Sequence, residues 1–265
     1  DGTTRGYATG DFDNVDALKG SIMASNWFTN DPTQVINYIS CHDNYTLWDK
    51  IQASTSWAWA STQTSMNKLA AAINITSQGI PLLQAGEEFL RTKGGDENSY
   101  KSSDAVNMMD WSLAEDNAVV VDYYTGLLKF RNNHTALRMT TKSEIDSKLS
   151  YLTTTDNVIA YTIDGSATGE IADKILVVFN PNLGSRTINL PEGEWKVCVN
   201  GEKAGTDVIE TVSGSVEVTE YSAFILVQGA TEEVVQPEEL KATLQLDKTE
   251  CKVGDSVTLS ASASG

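Results

Sequence analysis

The chain has 265 residues, and its 36 acidic side chains against 19 basic ones leave a net charge of −17. That balance excludes a nucleic-acid binder, whose affinity rests on Lys and Arg neutralising phosphates. A hydrophobic fraction of 40% is ample for a globular core, no apolar run approaches the ~18 residues that span a bilayer, and no signal peptide opens the chain.

Asp1–Gln34 reads as mostly loop, rich in Gly, Asp, Asn and Thr. Val35, Ile36, Tyr38 and Ile39 then form a short β-branched and aromatic run, expected as a buried strand. It ends in Cys41-His42-Asp43-Asn44, before Tyr45–Ile51 turns amphipathic. Polar side chains gathered at a strand end are where α/β barrels keep their chemistry. The plainer reading is that Asp43 and Asn44 cap the following helix. Met66–Thr76 has helical spacing, Ser77–Pro81 breaks it, and Pro81–Glu88 reads as a second buried strand ending in Glu87 and Glu88. Strand, helix, strand with polar ends is a βαβ unit. A further helix is expected over Asn117–Phe130.

From about Thr135 the texture changes to eight short apolar segments between 151 and 228, separated by Asp-Gly, Pro-Asn-Leu-Gly, Pro-Glu-Gly and Asn-Gly. This spacing predicts an antiparallel β-sandwich. Residues 231–239 read as an acidic, Pro-containing linker. Residues 240–265 resemble the first strands of an Ig-like module, too short to close a sandwich of ~100 residues.

Cys41, Cys198 and Cys251 are odd in number and scattered, so they make neither a disulfide framework nor a metal motif. A thiol nucleophile at Cys41 is outweighed by a buried apolar cysteine. With His42 and His134 as the sole histidines, a zinc site is not expected. No cofactor is assigned. Calcium is left open, because the acidic loops Gly10–Asp16 and Gly94–Asn98 lack EF-hand spacing. Six tryptophans raise the question of sugar stacking. Core packing is the favoured reading for each, with Trp48 and Trp111 on barrel helices and Trp195 in the sandwich.

The segments HDNYTLWDK and SQGIPLLQAGEEFLRTKGGDENSYKSSDAVNMMDW, with RGYATG and DALKGSIMAS before them, closely resemble bacterial type I pullulanases of the α-amylase superfamily (glycoside hydrolase family 13). The resemblance runs from about Arg5 to Trp111. It implies that residues 1–134 are the C-terminal part of a (β/α)8 barrel, with strands seven and eight, and that 135–230 is the sandwich that follows it. A complete barrel needs roughly 200 residues or more, so the chain is expected to be the C-terminal portion of a debranching enzyme that cleaves α-1,6-glucosidic bonds with retention. In such enzymes the nucleophilic Asp and the acid/base Glu follow earlier strands, so both are expected outside this chain.

By the same resemblance Asp43 stabilises the transition state by hydrogen-bonding sugar hydroxyls, a form of differential binding, and His42 donates to the same sugar. Substrate-binding positions are Asn44, Arg91, Asp104 and Asn107. Plainer roles stand beside these: Arg91 in an ion pair with Glu87 or Glu88, Asp104 as a helix N-cap, Asn44 as a loop holder. Some relatives carry an Arg four residues after Asp104, where this chain has Met108. Glu88 and Asp96 are expected to shape their loop by hydrogen bonding.

The implied partners are an α-glucan of the pullulan, starch or glycogen type and the upstream part of the same enzyme. The implied location is secreted or at a bacterial cell surface. Two alternatives remain open: a non-catalytic α-glucan-binding or interaction fragment, and a related α-1,4-acting enzyme. A variant that gives Asp43 and Glu87 or Glu88 the full acid and nucleophile roles is disfavoured, because an isolated βαβ unit cannot exclude water.

Overall fold

The computed structural model describes residues 2–165, 169–232, 241–246 and 259–264, the last two stretches by backbone alone. The chain forms two compact units, Asp1–Glu232 and Glu233–Gly265. Of the second, an antiparallel pair is described, Lys241–Leu246 with Leu259–Ser264. Residues 233–239 of the linker expected over 231–239, Cys251 and most of the Ig-like stretch lie outside the described residues.

In the first unit, the strand pattern around Val35 yields β1, Ile36–Asn37, and the run after the helix break yields β2, Ile80–Pro81. They pair in parallel, Ile36 with Ile80 and Asn37 with Pro81. Both strands are far shorter than expected. Each finds one described neighbour, so no second ladder extends them, and Ile36, Tyr38, Ile80 and Leu82 stay exposed, with Ile36 at 56% and Tyr38 at 60%.

Between β1 and β2 run α2, Leu47–Ser54, and α3, Ala60–Thr76, after an earlier α1, Val15–Ile22. Helix α3 starts six residues before the expected Met66. Its polar first turns are secured by Gln63, which is buried and donates to the Thr55 carbonyl at 3.0 Å. Beyond β2 come two short helices, α4, Asp104–Asn107, and α5, Ser112–Asp116, then α6, Ala118–Asn133, and α7, Lys142–Lys148. Among the described residues no helix is long and apolar enough to cross a membrane.

Six strands form one antiparallel sheet: β3, Leu149–Tyr151; β4, Ile159–Asp164; β5, Ala172–Asn180; β6, Arg186–Val199; β7, Glu210–Val218; β8, Ser222–Gly229. Their order is β3-β4-β5-β8-β6-β7. Eight segments were expected. Two pairs of them merge, because the expected turn at Pro191–Gly193 and the break between segments at Gly214 lie opposite each other in one continuous ribbon, and the first, from 151, is strand at Tyr151 alone. Asn189 pairs with Ser215 and Glu194 with Ser213, so the extra residues form a bulge that bends β6 without ending it. Gly193 takes φ +111 and Gly214 φ +74, backbone that suits glycine.

Alternation along the strands puts Ile175, Val177 and Phe179 on one face and Leu176 and Val178 on the other. The first face packs on α3 and α6 through Leu69, Ile75, Tyr123, Leu127 and Phe130. The second closes over Trp195, Val197, Val216 and Val218 from β6 and β7. The helical part and the sheet therefore share a core, and the division placed near residue 134 is not a gap in the packing.

Polar ties, most of them across the same join, add to the packing. Tyr7 donates to the Phe179 carbonyl at 3.1 Å and accepts from Ile159 N–H at 3.1 Å. Arg131 is buried and donates to the carbonyls of Ile75, Ser77 and Gly79 at 2.7–2.8 Å, satisfying the C-terminal end of α3. His134 and Glu170 meet at 2.7 Å with both side chains fully buried. Glu170 also accepts the N–H groups of Ala136, Ile171 and Ala172, and the second ring nitrogen of His134 lies 3.1 Å from the Thr231 carbonyl.

Candidate active site

A cleft of about 900 Å³ opens beside β1 and is lined by Ile36, Tyr38, Asp43, Asn44, Tyr45 and Glu97, among others. Its wall is the chain leaving β1. Asp43 and Asn44 do not cap α2. Thr46 does, its hydroxyl accepting the Asp49 N–H at 3.1 Å. With that task taken, the Asp43 side chain is 74% exposed and stands 3.6 Å from His42 Nε2, itself 90% exposed. Asn44 adopts φ +63, the left-handed conformation that asparagine tolerates, and this turns the chain from the strand end toward Thr46. Cys41 is half-buried, not buried, because it lines the cleft; its Sγ lies 3.8 Å from the Asp43 carbonyl.

The remaining candidates lie in a separate cluster. Arg91 makes no ion pair among the described residues. Its guanidinium donates to the Asn107 carbonyl at 2.6 Å. Asn107 in turn donates its amide to the carbonyls of Ser99 and Ser102 at 2.7 and 3.2 Å. Arg91 and Asn107 thus meet each other and hold the 99–107 loop. Neither lines the cleft. Asp104 is exposed in the first turn of α4, whose N-cap is Ser103, so it does not cap the helix. Glu88 accepts Gly86 N–H at 2.9 Å, and Asp96 accepts Asn98 N–H at 3.0 Å and the Ser102 hydroxyl.

Glu87, at the end of the segment after β2, is only 4% exposed. Its Oε1 lies 2.5 Å from Ser40 Oγ, and its Oε2 has no hydrogen-bond partner among the described residues. Burial pushes its carboxyl up to about 7, against the hydrogen bonding around Ser40 and Gln84 that pulls it down. It does not line the cleft, which removes it from direct contact with a ligand there.

Two residues of structural weight went unread in the sequence. Buried Asp49 accepts from Thr92 Oγ1 at 2.5 Å and from Lys93 N–H at 2.8 Å, joining α2 to the loop after β2. Buried Ser40 joins β1 to Glu87. A polar residue inside an apolar helical stripe was the available signal for Asp49. Nothing local marks Ser40.

The tryptophans divide differently from expectation. Trp195 is fully buried, with its ring N–H donating to the Pro191 carbonyl at 3.0 Å. Trp111 is exposed against Phe89, and Trp57 and Trp59 are 53% and 83% exposed, since the α2–α3 turn that carries them faces solvent. Among the described residues no three His, Cys, Asp or Glu side chains converge as a metal cage requires.

Residues 145–203 match the family model described as pullulanase, all-beta domain. A pullulanase of Bacillus subtilis (strain 168) is 37% identical over 164 residues, which is 60% of this chain and 23% of that protein. The structure of a pullulanase from Bacillus acidopullulyticus superposes with a TM-score of 0.84 at 41% identity, over 86% of this chain and 28% of the other. That of a Paenibacillus barengoltzii pullulanase, in complex with maltohexaose and alpha-cyclodextrin, gives 0.80 at 35% identity, over 86% and 36%. The chain therefore spans between about a quarter and a third of the length of these relatives. Sequence and fold agree that it corresponds to a partial region of a type I pullulanase.

Proposed function

We propose that the chain works as part of a debranching glycoside hydrolase that cleaves α-1,6-glucosidic bonds in pullulan, starch or glycogen-type glucans with retention. The observation that carries this reading is Asp43. It is an exposed carboxylate on the wall of an open cleft, released from helix capping by Thr46 and paired with His42. Such a carboxylate accepts hydrogen bonds from the hydroxyls of a bound sugar ring. As the ring flattens toward an oxocarbenium-like transition state those bonds shorten, so the binding is differential and acts on rate. His42 donates to the same ring, and Asn44 holds the turn that presents both.

The bond-breaking acid and nucleophile are supplied, in this reading, by the upstream part of the same enzyme. The exposed apolar side chains of β1 and β2 support such a partner: Ile36, Tyr38, Ile80 and Leu82 flank a two-strand parallel ladder whose outer edges have no described neighbour. Glu87 does not take the acid role, being buried off the cleft. Arg91 and Asn107 hold the loop that carries Asp104 toward an outer glucose subsite. Secretion or cell-surface display is the accompanying assignment.

A second reading, a glucan-binding module without catalysis, is favoured by exposed Trp57 and Trp59, whose flat apolar faces suit sugar rings. Reducing-sugar release from pullulan separates the two. The chain alone should be inactive, its mixture with the upstream segment active, and the mixture carrying Asp43→Ala nearly inactive. Activity of the chain alone overturns the division of labour. Retention of pullulan in affinity electrophoresis, without activity in any mixture, favours the second reading.

A further inference from the structure

Ser40 stands immediately before Cys41–Asn44, and its hydroxyl has one hydrogen and two oxygen neighbours, Glu87 Oε1 at 2.5 Å and Gln84 Oε1 at 3.0 Å. With the Gln84 amide turned so that its oxygen faces Ser40, an ionised Glu87 would make both neighbours acceptors, and one contact would set lone pair against lone pair. The donor count closes when Glu87 carries a proton on Oε1 and donates it to Ser40 Oγ, while Ser40 donates its own hydrogen to Gln84. The buried, unpartnered Oε2 fits the same state, because a neutral carbonyl oxygen tolerates such a place far better than half of a carboxylate.

Of the groups around Glu87, the backbone of Gln84 and Ser40 favours ionisation, and burial outweighs it. Asn67 of α3 donates to the Glu87 carbonyl at 3.4 Å and is itself held by the Tyr124 hydroxyl of α6 at 3.0 Å. Glu88, being acidic, opposes ionisation of Glu87.

We infer that Glu87 is a positioning residue: as a neutral acid it orients Ser40, and through Ser40 it sets the pose of the Cys41–Asn44 turn that carries His42 and Asp43. When Glu87 loses its proton the Ser40 hydrogen turns from Gln84 to the new carboxylate, the relay breaks, and the turn shifts. The effect on catalysis rests on the reading of His42 and Asp43 given above. The coupling between Glu87 and the turn does not.

The test is an NMR titration of the 265-residue chain, following the side-chain carboxyl carbon of Glu87 and the backbone amides of Cys41, Asp43 and Asn44. Glu87 is expected to titrate near neutrality, with the turn amides shifting in step. In Glu87→Gln, which can still donate to Ser40, the turn should keep its low-pH position throughout. His42 and Asp43 are the same in both proteins, so the difference between them belongs to Glu87. A Glu87 carbon already ionised at pH 5, or turn amides that move identically in both proteins, overturns the inference.

If Glu87→Gln fails to fold, Ser40→Ala answers the same question. Glu87 should still titrate there while the step at the turn disappears, and a persisting step overturns the relay. Neither outcome depends on pullulan hydrolysis, so failure of the proposed function leaves the result readable.

Discussion

Asp49, in the first turn of α2, accepts the backbone N–H of Lys93 at 2.8 Å from across the chain, 44 residues away. With Thr92 Oγ1 on its other oxygen, this buried carboxylate fixes the loop after β2 against the helix after β1, and so holds together the two chain segments that follow the parallel strands. Asp49→Asn presents an N–H where an acceptor is needed and leaves one loop donor unsatisfied. The expected loss is about 1–3 kcal/mol in urea unfolding, and unchanged stability would show the tie to be dispensable.

Gly126 lies inside α6, where alanine ordinarily stabilises a helix by about 1 kcal/mol. Here a Cβ would sit 2.0 Å from the Ala204 carbonyl oxygen, which is backbone and cannot swing aside. Gly126→Ala should therefore destabilise. A lowered melting temperature checks the sign.

Arg131 serves three carbonyls at the end of α3. Arg131→Met keeps much of the apolar stem but strands those oxygens. A loss of roughly 3 kcal/mol is expected, about 1 kcal/mol or more for each buried unsatisfied group. Arg131→Lys, with one ammonium for a planar fork, should recover only part of it. Thermal unfolding of the two variants beside the parent measures both.

Glu170 gives a pH signature. Burial raises its carboxyl, but the contacts from His134, Ala136 and Ala172 outweigh that and hold it below the ordinary 4.5. A depressed acid stabilises the fold above its unfolded value, and that contribution is lost as pH falls through the folded value. Stability should thus decline as the solution is acidified below about 4.5. Glu170→Gln should flatten this limb and cost roughly 3 kcal/mol at neutral pH, as removal of one partner from a buried pair does. Denaturant midpoints from pH 3 to pH 7 read both effects.

For the proposed enzyme, Asp43→Ala in the reconstituted mixture should lower kcat by about 10²–10³-fold with little change in KM, the pattern of an interaction made chiefly in the transition state. A rise in KM at constant kcat would recast Asp43 as a simple binding residue.

Much of this architecture was legible locally. The apolar run at Val35, the helical spacing of Met66–Thr76 and the apolar segments of the sheet each carry their own pattern, and β1, α3 and β4 to β8 formed where those patterns lie, while β3 overlaps its expected segment at Tyr151 alone. Turn chemistry misled at Pro191–Gly193. Gly and Pro mark a break in local conformation, but whether that break becomes a turn or a bulge depends on whether both flanks pair with the same neighbour, and β7 offers β6 just that.

The site divides along the same line. Motif resemblance singled out Asp43, His42, Arg91 and Asn107 by type and spacing. Their separation into a cleft pair and a loop-holding pair depends on which carbonyls come within reach of Arg91. Thr46 was already visible three residues before Asp49, so the release of Asp43 from capping is written in the local sequence. The burial of Glu87 against Ser40, of Glu170 against His134 and of Asp49 against Lys93 joins residues 36 to 47 positions apart. The sequence alone determined which segments are apolar, periodic and capped, because those properties act over a few residues. Only the tertiary structure decided which carboxylates are buried and which face the cleft, because desolvation and hydrogen bonding act across contacts that chain order does not record.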